Sequence, residues 1–338
     1  MKYWDINKIL PYQRNFNFIN GPRSIGKTYT TQKYILKKCM EEGKQFVYIV
    51  RTKAELEGAA MERAFEKVTE NEFQEIEFKY TTEEMSFVDE NGAVVLIGFC
   101  LALSQYAKIK IRSFPRVYYW LMDEYMLESN STARYVNGWN EPDVTLSVYH
   151  TIDREEDRVK CFFLGNNTSF YNPYHLHPAF HIPEVRPGEI WTSENVLFQW
   201  AVPSDELTEE KKSCKFLRMI DSTNYERYSV AGEYIEDNNT FIKDRPRNTR
   251  FLFILEFQSD CYGVWLENKT GIAYIDSKID PSCKFRYTIS LTDHNENTIM
   301  GKSSPLLKWL VKQFKNGAVR FTTPTIKKKG EILISMLL

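Results

Sequence analysis

The most constraining feature of this sequence is the octapeptide Gly21–Thr28, which fits the pattern G-x-x-x-x-G-K-[ST]. It follows an apolar strand candidate, Phe16–Asn20, and precedes a stretch with helical spacing, Thr28–Glu42, that stops at Gly43. In this pattern the glycines let backbone amides surround phosphate oxygens, and the helix N-terminus adds partial positive charge. The segment therefore predicts a phosphate-binding loop between a strand and a helix.

The individual positions of the loop have distinct expected roles. Lys27 is expected to reach the β- and γ-phosphates of a nucleoside triphosphate, and the Thr28 hydroxyl is expected to bind Mg²⁺. The other loop residues are expected to surround the phosphates, and they are Gly21, Pro22, Arg23, Ser24, Ile25 and Gly26. ATP and Mg²⁺ are therefore the expected ligands. A surface turn rich in glycine and lysine is the alternative interpretation.

A second apolar strand candidate, Val117–Met122, ends in two carboxylates, Asp123 and Glu124. Asp123 is expected to complete the Mg²⁺ site opposite Thr28. Glu124 is expected to polarise a water for attack on the γ-phosphate, a group that hydrolases need and that small-molecule kinases generally lack. Taken alone, the pair is equally compatible with an ordinary strand end. Beside the phosphate loop, it indicates an ATP hydrolase.

Three residues further along the chain are additional candidates. Asn166 follows the strand candidate Val159–Leu164 and could sense the γ-phosphate or orient the attacking water, although a Gly-Asn turn explains it nearly as well. Arg154 and Arg158 precede that strand, and either could stabilise transition-state charge at the site of a neighbouring subunit. Arg154 is the favoured one, and plain solvated surface is the alternative for both.

Residues 1–197 alternate short apolar strands with helical stretches. Examples are the strand candidate Phe46–Val50, a helix from about Lys53 to Val68, and a hairpin at Asn91-Gly92. Continuous apolar strands alternating with helices predict an α/β domain, in which a mostly parallel sheet is covered by helices on both faces.

The pattern changes beyond residue 197. Residues 198–235 predict a helical linker, with Ser204 as the N-cap of its first helix. Residues 236–338 predict an α+β domain that begins with a three-stranded meander, as ribonuclease H-like folds do. Its strands are expected at Phe251–Phe257, Cys261–Leu266, Gly271–Ile275 and Phe285–Leu291, with a helix at Ser304–Phe314.

A ribonuclease H-like nuclease needs several carboxylates that converge on metal ions. The candidates in the second domain are Glu256, Glu267, Asp276 and Asp293. Their sequence positions do not establish that they converge, so the nuclease site is expected to be degenerate.

The formal net charge is −1, so any binding of nucleic acid must rely on local basic patches. Residues 301–329 hold eight cationic residues and no Asp or Glu, namely Lys302, Lys308, Lys312, Lys315, Arg320, Lys327, Lys328 and Lys329. This run favours contact with RNA or DNA over docking to an acidic protein. Weaker nucleic-acid candidates, each equally well explained as solvated surface, are Arg51, Lys53, Lys108, Lys110 and Arg112.

Six dispersed cysteines form no CxxC pair, and the N-terminus has no signal-peptide pattern. The longest apolar run, Val94–Leu103, is well short of the ~20 residues that span a bilayer. We therefore expect a soluble cytosolic protein with reduced thiols and no membrane contact.

The combination of Gly21–Thr28, Trp120–Glu124 and Phe162–Asn166 resembles the DNA-encapsidation ATPases of small phi-29-like podoviruses, and Ala102–Lys108 adds to the likeness. The resemblance implies an ATPase of the additional-strand, catalytic-glutamate class in a ring, with five subunits expected. Such a motor drives double-stranded DNA into a viral procapsid in the host cytoplasm, docked transiently at the portal (connector) and contacting a packaging RNA. It also implies a second domain that is an inactive ribonuclease H-like nuclease, and Arg154 as the leading trans-acting arginine.

Three other functions remain open from the sequence. A terminase-type protein would retain metal-dependent DNA cleavage in its second domain. A P-loop phosphotransferase would act on a small molecule, which Glu124 beside Asp123 argues against. A non-catalytic adaptor would bind nucleotide as a structural ligand only.

Overall fold

The chain forms two compact units, residues 1–236 and 237–338, in a computed structural model. The structure describes residues 2–57, 59–128, 133–220, 223, 234, 237, 239–257, 260–291, 293–301 and 303–338. Lys302 of the basic run and most of the predicted linker beyond residue 220 lie outside the described residues.

The first unit is built on a nine-stranded sheet. Its strands are β1 (Phe16–Asn20), β2 (Gln45–Val50), β3 (Phe78–Tyr80), β4 (Glu84–Val88), β5 (Val94–Ala102), β6 (Val117–Asp123), β7 (Lys160–Gly165), β8 (Ile190–Thr192) and β9 (Val196–Trp200). They are ordered β3-β4-β5-β2-β6-β7-β1-β9-β8. The six central strands, β5-β2-β6-β7-β1-β9 in this order, run parallel. The remaining strands pair antiparallel, β3 and β4 at one edge and β8 at the other.

The sheet order confirms the predicted α/β fold. Strand β7 lies between β1, which leads into the glycine-rich loop, and β6, which ends at the acidic pair. Because these three strands run parallel, their carboxyl ends meet at one edge of the sheet. The loop and the carboxylates are therefore neighbours although about a hundred residues separate them.

Helices cover both faces of the sheet. They are α1 (Lys27–Glu42), α2 (Lys53–Leu56), α3 (Ala60–Glu72), α4 (Tyr106–Ile109), α5 (Glu141–Asp153), α6 (Pro173–Leu176), α7 (Asp205–Ser213) and α8 (Lys215–Met219). Successive strand residues point to opposite faces. Phe18 accordingly packs in one core with Val148 of α5, and Ile19 packs in the other with Ile35 of α1.

Two expected boundaries in the first unit are wrong. The helix expected from about Lys53 to Val68 is two helices, α2 and α3, and Ala59 between them has a φ of 60°, which an α-helix does not accommodate. Residues 198–200, assigned to the linker, lie in β9, because that strand pairs with β1. Ser204 is confirmed as an N-cap, since its side chain accepts a hydrogen bond from the Leu207 amide.

The second unit has a six-stranded sheet in the order β14-β13-β10-β11-β12-β15. Its elements are β10 (Thr249–Phe257), β11 (Asp260–Glu267), β12 (Ile272–Asp276), β13 (Arg286–Thr288), β14 (Ile299–Met300), α9 (Pro305–Lys315), β15 (Val319–Phe321) and α10 (Pro324–Leu337). The antiparallel meander β10-β11-β12 confirms the predicted three-stranded start of this domain. The strand expected at Phe285–Leu291 is shorter, and the closing helix α10 was not anticipated.

The two helices of this unit pack on its sheet through apolar residues, such as Leu310 of α9 and Leu333 of α10. Throughout the described part of the chain, none of the helices combines the length and apolar character required to cross a membrane.

Gly98 of β5 allows the ring of Phe46 to pack directly against the neighbouring strand. A Cβ at position 98 would come within 2.4 Å of that ring. We expect Gly98→Val to lower the free energy of unfolding by about 1–3 kcal/mol, because overpacking displaces the ring from a fully buried site. The measurement is the urea unfolding midpoint. Val94→Ala is the control on the same strand, since Val94 is exposed, and equal effects of the two changes would contradict the prediction.

Candidate active site

The loop Gly21–Thr28 requires glycine at two positions. A Cβ on Gly21 would lie 2.7 Å from the carbonyl oxygen of Ala201, and Gly26 has a φ of +96°. The Gly21 amide donates to the Gly165 carbonyl at 3.2 Å, which ties the start of the loop to the end of β7. The loop is thus fixed by its backbone, as the sequence pattern predicts.

Lys27 is buried within the loop. Its Nζ donates to the carbonyls of Gly21 and Pro22 at 2.8 and 2.9 Å. Burial lowers the pKa of Lys27 to about 7, and the nearby Asp123 carboxylate partly opposes this shift. A buried ammonium that contacts only carbonyl dipoles gains from a nearby anion. The loop interior is therefore suited to phosphate.

Thr28 and Asp123 meet at the carboxyl edge, where Thr28 Oγ1 donates to Asp123 Oδ2 at 2.9 Å. Burial raises the pKa of Asp123, and the Thr28 hydrogen bond opposes that rise. Across the described residues, no group of three or more His, Cys, Asp or Glu could hold a metal ion. Mg²⁺, however, is usually bound by one or two protein oxygens plus water and substrate phosphates, which a Thr–Asp pair can provide.

Glu124 is exposed and has a φ of 56°, so the chain turns sharply immediately after β6. The backbone at and directly after this turn is held by Arg51, which lies just beyond β2. Arg51 Nη1 donates to the Glu124 carbonyl at 2.8 Å, and Nη2 donates to the Tyr125 carbonyl. The exposed carboxylate of Glu124 is therefore presented on a fixed backbone.

Arg51 was expected as a weak nucleic-acid contact, and that expectation is wrong. Its side chain is buried, and its Nε donates to both carboxylate oxygens of Glu141 at 3.1 Å. Glu141 also accepts from the Tyr174 hydroxyl at 2.8 Å. A guanidinium that is enclosed and fully bonded in this way has no surface to offer a phosphate backbone.

Asn166 lies at the same edge as the loop. It follows β7 directly, and the adjacent Gly165 carbonyl bonds to Gly21. Its half-buried position next to the loop is compatible with the expected role in sensing phosphate.

Behind the site lies a buried polar chain. The Tyr125 hydroxyl donates to Asn20 Oδ1 at 2.6 Å and lies 2.6 Å from His175 Nε2, while Asn20 Nδ2 donates to the Tyr234 hydroxyl at 3.1 Å. These bonds connect the residue before the loop with the residue after Glu124. His175 therefore has a structural partner, and its neighbour His177 bonds to Asp143 instead of joining it.

The two candidate arginines have different environments. Arg158 is almost enclosed, and its guanidinium donates to the carbonyls of Val117, Phe114 and Ile152. Arg154 ends α5 with a φ of 54° and is exposed, and its guanidinium makes no hydrogen bond or ion pair with any residue that the structure describes. Arg158 is committed to its own subunit, whereas Arg154 is available to another molecule.

Several basic candidates follow the carboxyl ends of strands β2 and β5, which are neighbours. Lys53 begins α2, and Lys108 and Lys110 belong to or follow α4; all three are exposed. Arg112 is partly occupied, because it pairs with Glu83 at 3.1 Å. The exposed lysines thus lie at the same sheet edge as the phosphate loop.

The basic run of the second unit is divided by its fold. Lys327 and Lys329 are buried on α10, and Lys329 pairs with Asp260, so the expectation that both contact nucleic acid is wrong. They lie at the two margins of the buried face of α10, which also carries Ile326, Gly330, Leu333 and Ile334. Lys328 is half-buried. By contrast, three lysines of α9 are exposed on one face, and they are Lys308, Lys312 and Lys315.

The carboxylates considered for a nuclease site are engaged with basic or polar neighbours. Glu256 pairs with Arg286 at 3.0 Å, and Asp276 pairs with Arg245 at 2.9 Å. Glu267 accepts from the Thr270 hydroxyl. This arrangement agrees with the expectation of a degenerate site.

The strand order and the residues at the carboxyl edge define the first unit as a P-loop ATPase fold with an additional strand between the loop strand and the acidic strand. A family model described as Podovirus DNA encapsidation protein (Gp16) matches residues 1–335. The chain therefore belongs to the podovirus DNA encapsidation protein family. This membership confirms the resemblance and the packaging role predicted from the sequence.

Individual relatives match over nearly the whole chain. The DNA packaging proteins of Bacillus phages phi29 and PZA are each 30% identical over 329 residues, covering 96% of this chain and 95% of the relative. The solved bacteriophage Phi-29 viral genome packaging motor assembly matches with a TM-score of 0.76 and 29% identity, and covers 100% of both chains. The crystal structure of the N-terminal domain of the phi29 DNA packaging ATPase matches with a TM-score of 0.51 and 28% identity, covering 61% of this chain and 97% of that one.

The positioning roles of four residues were not among the expectations from the sequence, namely those of Arg51, Glu141, Tyr125 and Asn20. Arg51 and Asn20 carry a signal that was available, since each is a polar residue at or just beyond the carboxyl end of an apolar strand, as Asp123 is. Glu141 and Tyr125 carry no comparable signal, because their partners lie far away in the sequence.

His175 provides a test of the buried polar chain. Burial lowers its pKa to about 3, below its usual value of ~6.5. The unfolded state therefore binds the proton more tightly, so His175 costs the protein stability as the pH falls from about 6.5 towards 3. His175→Gln removes this titration. We expect the variant to be less stable than the wild type at pH 7.5. The difference between their free energies of unfolding should narrow by about 2 kcal/mol as the pH falls from 6.5 to 5. Chemical unfolding at several pH values measures this, and a constant gap would contradict it.

Proposed function

We propose that this encapsidation protein is an ATP-driven translocase of double-stranded DNA, which hydrolyses ATP at the interfaces between subunits of a ring. The observation that carries the proposal is the meeting of Thr28 and Asp123 beside the buried Lys27, with Glu124 exposed immediately after them. Each of these groups has a part in phosphoryl transfer to water.

In this mechanism the chain contributes mainly positioning and charge. Backbone amides of Gly21–Thr28 and the ammonium of Lys27 hold the β- and γ-phosphates. Thr28 Oγ1 and the Asp123 carboxylate would hold Mg²⁺, which when bound neutralises charge between those phosphates. The Glu124 carboxylate accepts a proton from the attacking water, and Asn166 orients that water or senses the γ-phosphate.

Arg154 is the proposed trans-acting residue. It is exposed at the end of α5, while the Arg158 guanidinium is occupied by three backbone carbonyls. A neighbouring subunit would place Arg154 against the γ-phosphate, where a cation stabilises the charge of the transition state. A ring supplies such a neighbour at every site, and five subunits are proposed because of the resemblance to phi-29-like motors.

DNA contact is proposed for the exposed lysines that follow β2 and β5, namely Lys53, Lys108 and Lys110. Phosphate contacts of this kind provide affinity without sequence preference. On the second unit, Lys308, Lys312 and Lys315 of α9 form a cationic stripe for an anionic partner, a packaging RNA or the portal. The protein would work in the host cytoplasm, docked transiently on the procapsid.

The other functions lack a supporting observation. A terminase-type nuclease needs convergent carboxylates, whereas Glu256 and Asp276 are paired with arginines. A phosphotransferase has no need of a carboxylate at Glu124.

We expect Glu124→Gln to lower steady-state ATP hydrolysis by about 10²–10⁴-fold, because the variant cannot accept the proton of the attacking water. Hydrolysis by the wild type should rise when long double-stranded DNA is added. Glu90→Gln, which changes an exposed carboxylate in a hairpin turn, is the matched control and should leave the rate unchanged. Full hydrolysis by Glu124→Gln would refute the assigned role, and indifference to DNA would refute the coupling.

A second expectation concerns the shared interface. Subunits carrying Arg154→Ala and subunits carrying Glu124→Gln should each be inactive alone. Mixed rings should regain part of the activity, because an interface between the two variants can combine an intact Glu124 with an intact Arg154. Titration of one variant into the other, followed by ATP hydrolysis, measures the recovery.

Arg158→Ala serves as the contrast in the same experiment. Removing it leaves three backbone carbonyls without their donor, so we expect a loss of stability that mixing does not rescue. If no mixing ratio restores activity to the Arg154→Ala subunits, the interface is not shared in the proposed way.

A further inference from the structure

Tyr234 lies close to the end of the first unit, which extends to residue 236. Its ring packs against Trp200 at the end of β9, with ring centroids 4.7 Å apart. It also meets the buried ring of Phe170 edge-on, at 5.8 Å between centroids. These contacts belong to the core on one face of the nine-stranded sheet. The last part of the first unit is therefore attached to its sheet by an aromatic side chain.

The Tyr234 hydroxyl accepts a hydrogen bond from Asn20 Nδ2 at 3.1 Å. Asn20 is the last residue of β1, is fully buried and directly precedes the phosphate loop. Its Oδ1 accepts from the hydroxyl of Tyr125 at 2.6 Å. One amide group thus bonds to two tyrosines, of which one follows Glu124 and the other lies in the chain that leads to the second unit.

The end of β7 packs against the same amide. A Cβ at Gly165 would lie 2.8 Å from the Tyr125 ring and 3.1 Å from Asn20 Oδ1, so the close packing requires glycine there. Gly165 directly precedes Asn166, and its carbonyl accepts from the amide at the start of the phosphate loop. The Asn20 amide therefore lies where the three strands that lead to the loop, to Glu124 and to Asn166 come to an end.

The orientation of the Asn20 amide depends on both tyrosines. If the Tyr234 side chain leaves this site, Asn20 Nδ2 is left with the weak thioether acceptor of Met126, at 3.6 Å. A buried donor without a good acceptor costs free energy, so the amide orientation that also binds Tyr125 becomes less favourable. The coupling is reciprocal, because a change at Tyr125 alters the affinity of Asn20 for Tyr234 in the same way.

We propose that Tyr234 is a positioning residue of the ATP site, and that its hydrogen bond to Asn20 makes ATP turnover depend on the chain that leads to the second unit. The inference rests on the proposed function, because it assumes that Glu124 activates the attacking water. The effect falls on the chemical step, since Tyr125 follows Glu124. Lys27, which is assigned to the phosphates, is held by separate bonds to the carbonyls of Gly21 and Pro22.

The test measures kcat and KM for ATP hydrolysis by the full chain in the presence of double-stranded DNA. Tyr234→Phe removes the hydroxyl and retains the ring that packs on Trp200. We expect kcat to fall roughly 3–10-fold, as the loss of one neutral hydrogen bond predicts, and KM to stay unchanged.

Tyr149→Phe is the matched control. The Tyr149 hydroxyl accepts from Asn15 Nδ2 at 3.3 Å, just before the other end of β1, so this variant loses the same kind of bond away from the site. We expect it to retain the wild-type kcat. Unchanged kcat in Tyr234→Phe, an equal loss in Tyr149→Phe, or a rise in KM as large as the fall in kcat would each overturn the proposal.

A double-mutant cycle tests the route through Asn20. Because Tyr234 is inferred to act through that amide, adding Tyr234→Phe to Asn20→Ala should lower kcat no further, and additive losses would overturn the route. If Asn20→Ala does not fold, the comparison of Tyr234→Phe with Tyr149→Phe decides alone. Hydrolysis by the wild type together with an unaffected Tyr234→Phe would overturn this inference only. Absence of hydrolysis by the wild type would overturn the proposed function, and the inference with it.

Discussion

The buried ion pair between Arg51 and Glu141 holds the active edge of the first unit together. Arg51 lies just beyond β2, and Glu141 begins α5. The guanidinium also reaches the carbonyls of Glu124 and Tyr125, at and directly after the turn that follows β6. Burying two charges carries a large desolvation cost, and loss of one partner from such a pair typically costs about 3–5 kcal/mol. The backbone carbonyls and the Tyr174 hydroxyl offset that cost by satisfying the remaining bonding capacity. The position of Glu124 thus depends on residues that never touch the substrate.

The sequence predicts what is local and misses what is assembled from distant segments. The loop, the strand before it and the acidic pair each have a short pattern with a known backbone requirement, and all three were placed correctly. Arg51 and Glu141 are ninety positions apart, and no local pattern announces that they will meet. The break between α2 and α3 is not evident from the sequence either, because the apolar spacing continues across it. The helix is interrupted by the backbone of Ala59, whose φ is 60°.

Charge is a poor guide to exposure in this chain. Arg154 and Arg158 look alike in the sequence, yet Arg154 is exposed at a helix end and the Arg158 guanidinium donates to three carbonyls. The run Lys327–Lys329 looks like an exposed cluster, but Lys327 and Lys329 lie at the margins of the buried face of α10. Both side chains are buried, and Lys329 places its ammonium against Asp260. Burial decides these roles, and burial depends on the fold.

The hydrogen bond between Asn20 and Tyr234 connects the end of β1 to the last part of the first unit. Asn20 is the last residue before the phosphate loop, and the Tyr234 ring packs on Trp200 while its hydroxyl accepts from Asn20. Position 234 is only two residues from the end of the first unit. The end of the strand that precedes the loop therefore also holds Tyr234, close to the end of the first unit. A substitution of Tyr234 therefore removes a hydrogen-bond partner from the residue that precedes the phosphate loop.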